Sequence, residues 1–387
     1  MLKYCLFVVL SFMVCFSLPC RSESAVHKTA IRLAILDNFT SEKFAQKYKI
    51  DYFAGIDTAI FSAKQTGILI EYKVFTYGNK PLAILNALCE VEQWKPDLII
   101  GPHLSNQFLL LKKYIKHTLV VSPYATDVSL KELPTNFYSL SLPDEYIANA
   151  NVLFVKKYFP GKDIFNITQA DCKDCVDMAL LFNKLYHQYY PTAHITDRYY
   201  TGNHVELIDM QRLLEGYQPG SIILLQPLSY VDAQTLMKMI SDYLPMSHLI
   251  FVYNLDNWGN SSAAKKEHRK INNYLAYKIS PLVQNENSKT YSDFLTQYQK
   301  LFGEQSKNAV TYMSYSSVIS VVDALKMFPQ KKHQSMRKNI LKSFMAARET
   351  DPNWHRPGSI MVYALTQQGE QEQGIIANYS SYEASRK

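Results

Sequence analysis

Glycine is scarce in this chain, 13 of 387 residues, and tryptophan scarcer still at three. The sequence has no glycine-rich phosphate loop, no G-x-S-x-G and no H-E-x-x-H. Phosphate cradling, serine hydrolysis and zinc proteolysis therefore lack their usual sequence supports. Charge is also sparse. Asp, Glu, Lys and Arg make up 19% of the chain, and no basic run concentrates the formal surplus of +7. A nucleic-acid-binding surface would need such a footprint. Tandem repeats and low-complexity tracts are absent.

What is present is apolar and aromatic. Hydrophobic residues account for 47% of the chain, enough to bury sizeable cores. A length of 387 residues suits two domains better than one. Tyrosine is abundant at 28 residues. Its ring gives flat apolar area with a polar tip, which suits a binding surface as well as a core.

The N-terminus reads as an export signal over residues 1–24. Lys3 supplies the positive start, Cys5–Leu18 the apolar run, and Pro19 ends it before the small residues Ser22 to Ala25. The run is shorter than the roughly 20 residues that span a bilayer. An uncleaved anchor and a lipid-modified Cys20 are the alternatives. Pro19 directly before Cys20 fits lipid attachment badly. The expectation is a soluble periplasmic chain that retains Cys89, Cys172 and Cys175.

Beyond the signal, strands and helices alternate. Strands are expected at 31–36, 68–75, 98–100 and 119–122, with helices at 41–66, 81–94 and 105–116 between them. The pattern restarts with helices at 143–159, 175–190, 205–215 and 230–244, and strands at 163–168, 194–199, 221–225 and 248–253. Strand–helix–strand order of this kind demands parallel sheets with helices on both faces. The last third adds a strand at 272–279, helices at 289–302, 309–328 and 333–347, and a strand at 359–364. Two such units side by side leave a cleft, and open parallel sheets bind ligands at the carboxyl ends of their strands.

Specific segments then carry a resemblance. Leu98-Ile99-Ile100-Gly101-Pro102 with Ser105, and Val120-Val121-Ser122-Pro123-Tyr124-Ala125-Thr126, resemble the Gly-Pro turn and S-P-x-A-T segment of the leucine/isoleucine/valine-binding branch of the type I periplasmic binding proteins. Phe137–Leu140 with Pro143-Asp144 resembles that family's crossing between domains. Phe251–Asp256, Tyr315–Leu325 and Gly358-Ser359-Ile360 with Gln368-Gly369 continue the likeness. The family implies an α/β fold of two Rossmann-like parallel-sheet lobes joined by a three-strand hinge. Lobe 1 would be residues 26–142 plus 282–350, and lobe 2 residues 143–281 plus 351–387. It also implies closure around a ligand.

The candidate ligand-binding residues follow. Ser105 at a helix start suits a ligand carboxylate, or else is a plain N-cap. Ala125 and Thr126 match family positions that hold the carboxylate and ammonium of an amino acid; the alternative is a turn. Asp256 stands where the family more often has Glu, and is either an ammonium partner or a turn cap. Tyr124, Tyr230, Tyr253 and Trp258 are candidate aromatic walls. Cys172 and Cys175 form C-x-x-C where the family usually has Tyr-Gly. Export favours a disulfide there over a redox centre, and zinc would need two further ligands. Cys89, among Leu85, Leu88 and Val91, is expected in a core. His103 beside Ser105 does not make a nucleophile–base pair at this spacing.

Neither a metal nor a cofactor is expected, and no catalytic residue. The expected function is a periplasmic solute-binding protein that delivers an amino acid or similar small polar ligand to an ABC permease. The rival is a ligand-sensing or protein-interaction module of the cell envelope with a retuned or lost pocket, acting on an envelope sensor protein.

Overall fold

The structure, a computed structural model, describes residues 30–378 apart from 39–42, 79–82, 202–204, 228–229, 245–247, 255–273, 282–287, 305, 307–308, 330–333 and 367–368. The segment expected to be an export signal, Asp256 and Trp258 therefore lie outside the described residues.

Two sheets organise the chain. The first runs β1 (Ile31–Asp37), α1 (Lys43–Gln65), β2 (Ile70–Thr76), α2 (Ala83–Trp94), β3 (Leu98–Ile100), α3 (Ser105–Leu111), β4 (Leu119–Ser122) and β5 (Phe137–Ser139). Its strand order is β2-β1-β3-β4-β5, all parallel. The second adds α4 (Asp144–Tyr158), β6 (Ile164–Gln169), α5 (Lys173–Tyr189), β7 (Ile195–Tyr200), α6 (Met210–Leu213), β8 (Ile222–Gln226), α7 (Tyr230–Tyr243), β9 (Leu249–Asn254) and β10 (Tyr274–Pro281). Its parallel part is ordered β7-β6-β8-β9-β10. Both lobes thus share one winding, in which the first strand lies between the second and third. The hairpin of β11 (Ser359–Thr366) and β12 (Gly369–Asn378) extends the second sheet antiparallel.

The apolar strand runs explain the burial. Leu98 to Ile100, Leu119 to Val121 and Ile222 to Leu225 are buried on both faces, as parallel strands under two helical layers must be. One face of the first sheet packs on α1, α8 (Lys289–Phe302), α9 (Ala309–Met327) and α10 (Met336–Thr350). Gly55 is required there. A Cβ on it would lie 2.1 Å from Thr311 O and from Ser314 Oγ, so only glycine lets α1 meet α9 this closely.

The chain crosses between lobes near Tyr138. Arg348 and Arg356 each stack on its ring, 4.5 Å from the centroid, and its hydroxyl donates to Trp354 O at 2.8 Å. Arg356 Nε also donates to Ser139 O at 2.7 Å, tying two crossing segments together.

Three expectations are corrected. The helix expected at 205–215 is a 3-10 turn at Val205–Leu207 and the single turn α6, which Asp209 caps by accepting from the N–H groups of Gln211 and Arg212. Residues 137–139, read only as a crossing, form the edge strand β5. Cys89 is exposed: the buried stripe of α2 is Ile84, Ala87, Leu88 and Val91, and Cys89 falls beside it.

Candidate functional site

The winding of each sheet sets where its strand order reverses before any side chain is considered. In an open parallel sheet the crevice lies outside the carboxyl ends, where strand order reverses. In the first lobe that point is between β1 and β3, and in the second between β6 and β8.

At the first point sit Asp37, ending β1, and the turn Gly101-Pro102-His103 after β3. Gly101 has φ +92°, and a Cβ there would lie 2.3 Å from Leu36 O, so glycine allows the turn to press against β1. His103 Nδ1 thereby donates to Asp37 Oδ1. Asn38 N–H also donates to Oδ1, at 2.8 Å, and the Tyr48 hydroxyl donates to Oδ2 at 3.3 Å. Asp37 is fully buried. Burial and the neighbouring Asp37 charge push the Tyr48 hydroxyl well above its ordinary pKa, so it stays a donor. The His103 side chain keeps 14% exposure and is the accessible member of the pair.

Beside it, the structure brings Ser105, Ala125 and Thr126 together and turns them on one another. Ser105 is the first residue of α3. Leu104 is the N-cap, and no side chain caps this end. The Ser105 hydroxyl instead accepts from the backbone N–H of Thr126 at 3.0 Å and of Asp127 at 3.3 Å. The Ala125 N–H donates to Ser122 Oγ at 3.1 Å, and Ser122 Oγ donates to Pro102 O at 2.7 Å. Serine oxygens thus occupy the backbone donors expected to meet a carboxylate. Tyr124, expected as a wall, is a core ring: its hydroxyl donates to Val310 O at 2.8 Å, and it meets Tyr48 edge-on.

The second edge presents Gln169 at the end of β6, Tyr200 at the end of β7 and Gln226 at the end of β8, all buried. The Tyr200 hydroxyl lies 3.5 Å from Gln169 Oε1. Tyr230 opens α7. Immediately after β6, Cys172 and Cys175 form a disulfide at the N-terminus of α5. Lys173, inside that disulfide loop, reaches Asp127 of the first lobe with Nζ 3.5 Å from Oδ2, and also pairs with Asp177. The two carboxyl edges therefore face each other. Burial raises the Asp127 pKa, but donors from Ser129 and the charge of Lys173 outweigh it and hold the carboxyl below its ordinary value.

A leucine-binding protein of Thermotoga maritima matches with TM-score 0.69 at 12% identity, over 91% of this chain and 100% of its own. A solute-binding protein of an ABC transporter from R. palustris, in complex with benzoate, gives 0.70 at 15%, over 90% and 97%. A branched-chain amino acid transporter substrate-binding protein of Streptococcus pneumoniae, in complex with isoleucine, gives 0.66 at 16%, over 90% and 99%. The chain has the type I periplasmic binding fold. No protein-family profile and no curated protein matches its sequence.

Ser105, Ala125 and Thr126 lie just beyond β3 and β4 and Tyr230 opens α7, whereas Tyr124 and Tyr253 are buried core rings and Asp256 and Trp258 lie outside the described residues. Sequence reasoning passed over the Asp37–His103 pair because the two are 66 residues apart. The available signal was a strand ending in Asp and a Gly-Pro turn ending in His. A separate cavity of about 220 Å³ opens between α1, α8 and α9, lined by Ser62, Asp293, Gln297 and Asp323 among others, in the helical layer and away from the strand ends. Among the described residues no three of His, Cys, Asp and Glu gather as a metal site requires, and no helix is long and apolar enough to cross a membrane.

Proposed function

We propose that this chain is an extracytoplasmic solute-binding protein that holds a small polar ligand between the carboxyl edges of its two sheets and presents it to an ABC permease. One observation carries the reading. Two sheets of identical winding bring the loop after β6 against the turn after β4, where Lys173 pairs with Asp127. Proteins with this fold include ones in complex with isoleucine and with benzoate, which supports a ligand of amino-acid or small organic-acid size.

In this reading Ser105, Ala125 and Thr126 line the first edge, and Tyr230 and Asp256 belong to the second. The lobes are 26–142 plus 282–350 and 143–281 plus 351–387. The grouping of Tyr291 to Ala347 with the first core and of Tyr146 to Ile279 with the second-lobe cores supports this division, while at its limits Leu142 packs with the second lobe and Trp354 with the first. The chain acts by binding and not by catalysis, and its N-terminal signal directs it to the periplasm.

Thermal melting against amino acids, small carboxylates, their amides and short peptides tests this. A ligand that binds only the native state raises the melting point by mass action. A saturable rise with one chemical class is the expected result. No rise with any compound would replace this reading with that of an envelope interaction module.

A further inference from the structure

The disulfide after β6 and the ion pair between the lobes share the same few residues. Cys172 and Cys175 are bridged, and Lys173 lies between them. Lys173 Nζ is 3.5 Å from Asp127 Oδ2 in the first lobe and also pairs with Asp177 on its own helix. Cys172 is the N-cap of α5, where its sulfur accepts from the Cys175 N–H at 3.2 Å. The bridge therefore pins the first turn of α5, and that turn carries the side chain that reaches the other lobe. Helix ends fray where nothing holds them. A mostly exposed ion pair contributes little, less than the cost of ordering one backbone residue. The Lys173–Asp127 contact thus depends on a turn that is already fixed.

We propose that the Cys172–Cys175 bridge is a redox-sensitive latch on the two lobes, opened by a dithiol. A thiolate of the dithiol attacks one sulfur of the bridge and displaces the other cysteine as a thiolate. The reagent's second thiolate then displaces the first cysteine. The reagent leaves as a cyclic disulfide, and its two electrons and two protons remain on Cys172 and Cys175 as two thiols. Both cysteines are buried, which slows the dithiol's access but does not change the equilibrium between the two states. In the reduced chain only the hydrogen bond to the Cys172 sulfur holds the first turn. Lys173 loses its fixed placement, its contact with Asp127 weakens, and the lobes part more often. Such coupling is reciprocal: if reduction weakens the contact, the contact makes the bridge harder to reduce. An exposed pair of this kind corresponds to about two- to fivefold in an equilibrium constant. For a two-electron couple that is roughly 10–20 mV. The latch goes beyond the solute-binding reading and is tested without a ligand.

Two measurements on the full mature chain, free of ligand, make the test. The midpoint of the bridge is titrated in dithiothreitol redox buffers, and small-angle scattering is recorded before and after reduction. In Lys173→Ala and in Asp127→Asn the midpoint should rise to a less negative potential by roughly 10–20 mV. These variants remove opposite charges near the sulfurs, so a plain charge effect would move their midpoints in opposite directions. The reduced wild-type chain should keep its far-ultraviolet circular dichroism and show a larger radius of gyration than the oxidised chain. Cys172→Ser combined with Cys175→Ser keeps an oxygen acceptor at the N-cap and has no bridge. It should match the reduced wild-type chain in radius and stay unchanged on adding dithiothreitol. Midpoints that do not both rise in the two variants, or a radius of gyration unaffected by reduction, would overturn the latch while leaving the solute-binding reading intact. Loss of the helical signal on reduction would overturn it as well, because the bridge would then hold the fold and not the lobes.

Discussion

Lys173 Nζ lies 3.5 Å from Asp127 Oδ2, joining the loop after β6 in one lobe to the turn after β4 in the other. The link lies at the rim of the cleft, beside the residues that end the central strands. Lys173 is mostly exposed, so the pair adds little to folding stability. Its effect is on how the lobes are held. Lys173→Ala should leave the melting point nearly unchanged, within about 0.5 kcal/mol of stability. It should also shift the ligand-free protein toward a more open form. Small-angle scattering checks this: the radius of gyration of the ligand-free variant should exceed that of the wild-type chain.

Acid should act on the same contact. The folded pKa of Asp127 is held below its ordinary value, so its contribution is present at neutral pH and is lost as pH falls through that lowered value. Burial pushes the nearby Asp174 carboxyl the other way, so it takes up its proton earlier during acidification. Scattering curves recorded between neutral pH and the acid range should show expansion only below the ordinary aspartate range. In Asp127→Asn this step should be missing.

Ser105 serves the turn more than the helix. Its buried hydroxyl accepts from two N–H groups, so Ser105→Ala leaves both without that acceptor. Stability should fall by about 1–3 kcal/mol, read from denaturant or thermal unfolding. A change within a few tenths would show that these donors find other acceptors.

The disulfide gives a chemical prediction. Trypsin cuts after lysine, and Lys173 lies between Cys172 and Cys175. Without reductant the two flanking peptides should remain joined and separate only after reduction. Cys89, exposed on α2, should be alkylated without reduction.

Much of this architecture is legible in the sequence because its strands are short, continuous apolar runs with punctuation. Leu98-Ile99-Ile100 before Gly101-Pro102 is an example. The segment 205–215 misled because its apolar spacing suits a helix, while Asp209 starts a new cap and confines it to one turn. The site was only partly legible. Ser105, Ala125 and Thr126 do meet, but their spacing gives no sign that serine oxygens satisfy the turn's own N–H groups. Asp37 and His103 come together only because β1 and β3 are neighbours, a consequence of sheet order and not of local pattern.

In the proposed function the ligand is held between the two carboxyl edges. Amide hydrogen exchange tests it most directly, using the compound that raises the melting point most. At saturation, segments 101–107 and 124–127 of the first lobe and 169–173 and 226–230 of the second should gain protection together. Protection confined to one lobe, or appearing only in the helical layer around α1, α8 and α9, would place the ligand elsewhere.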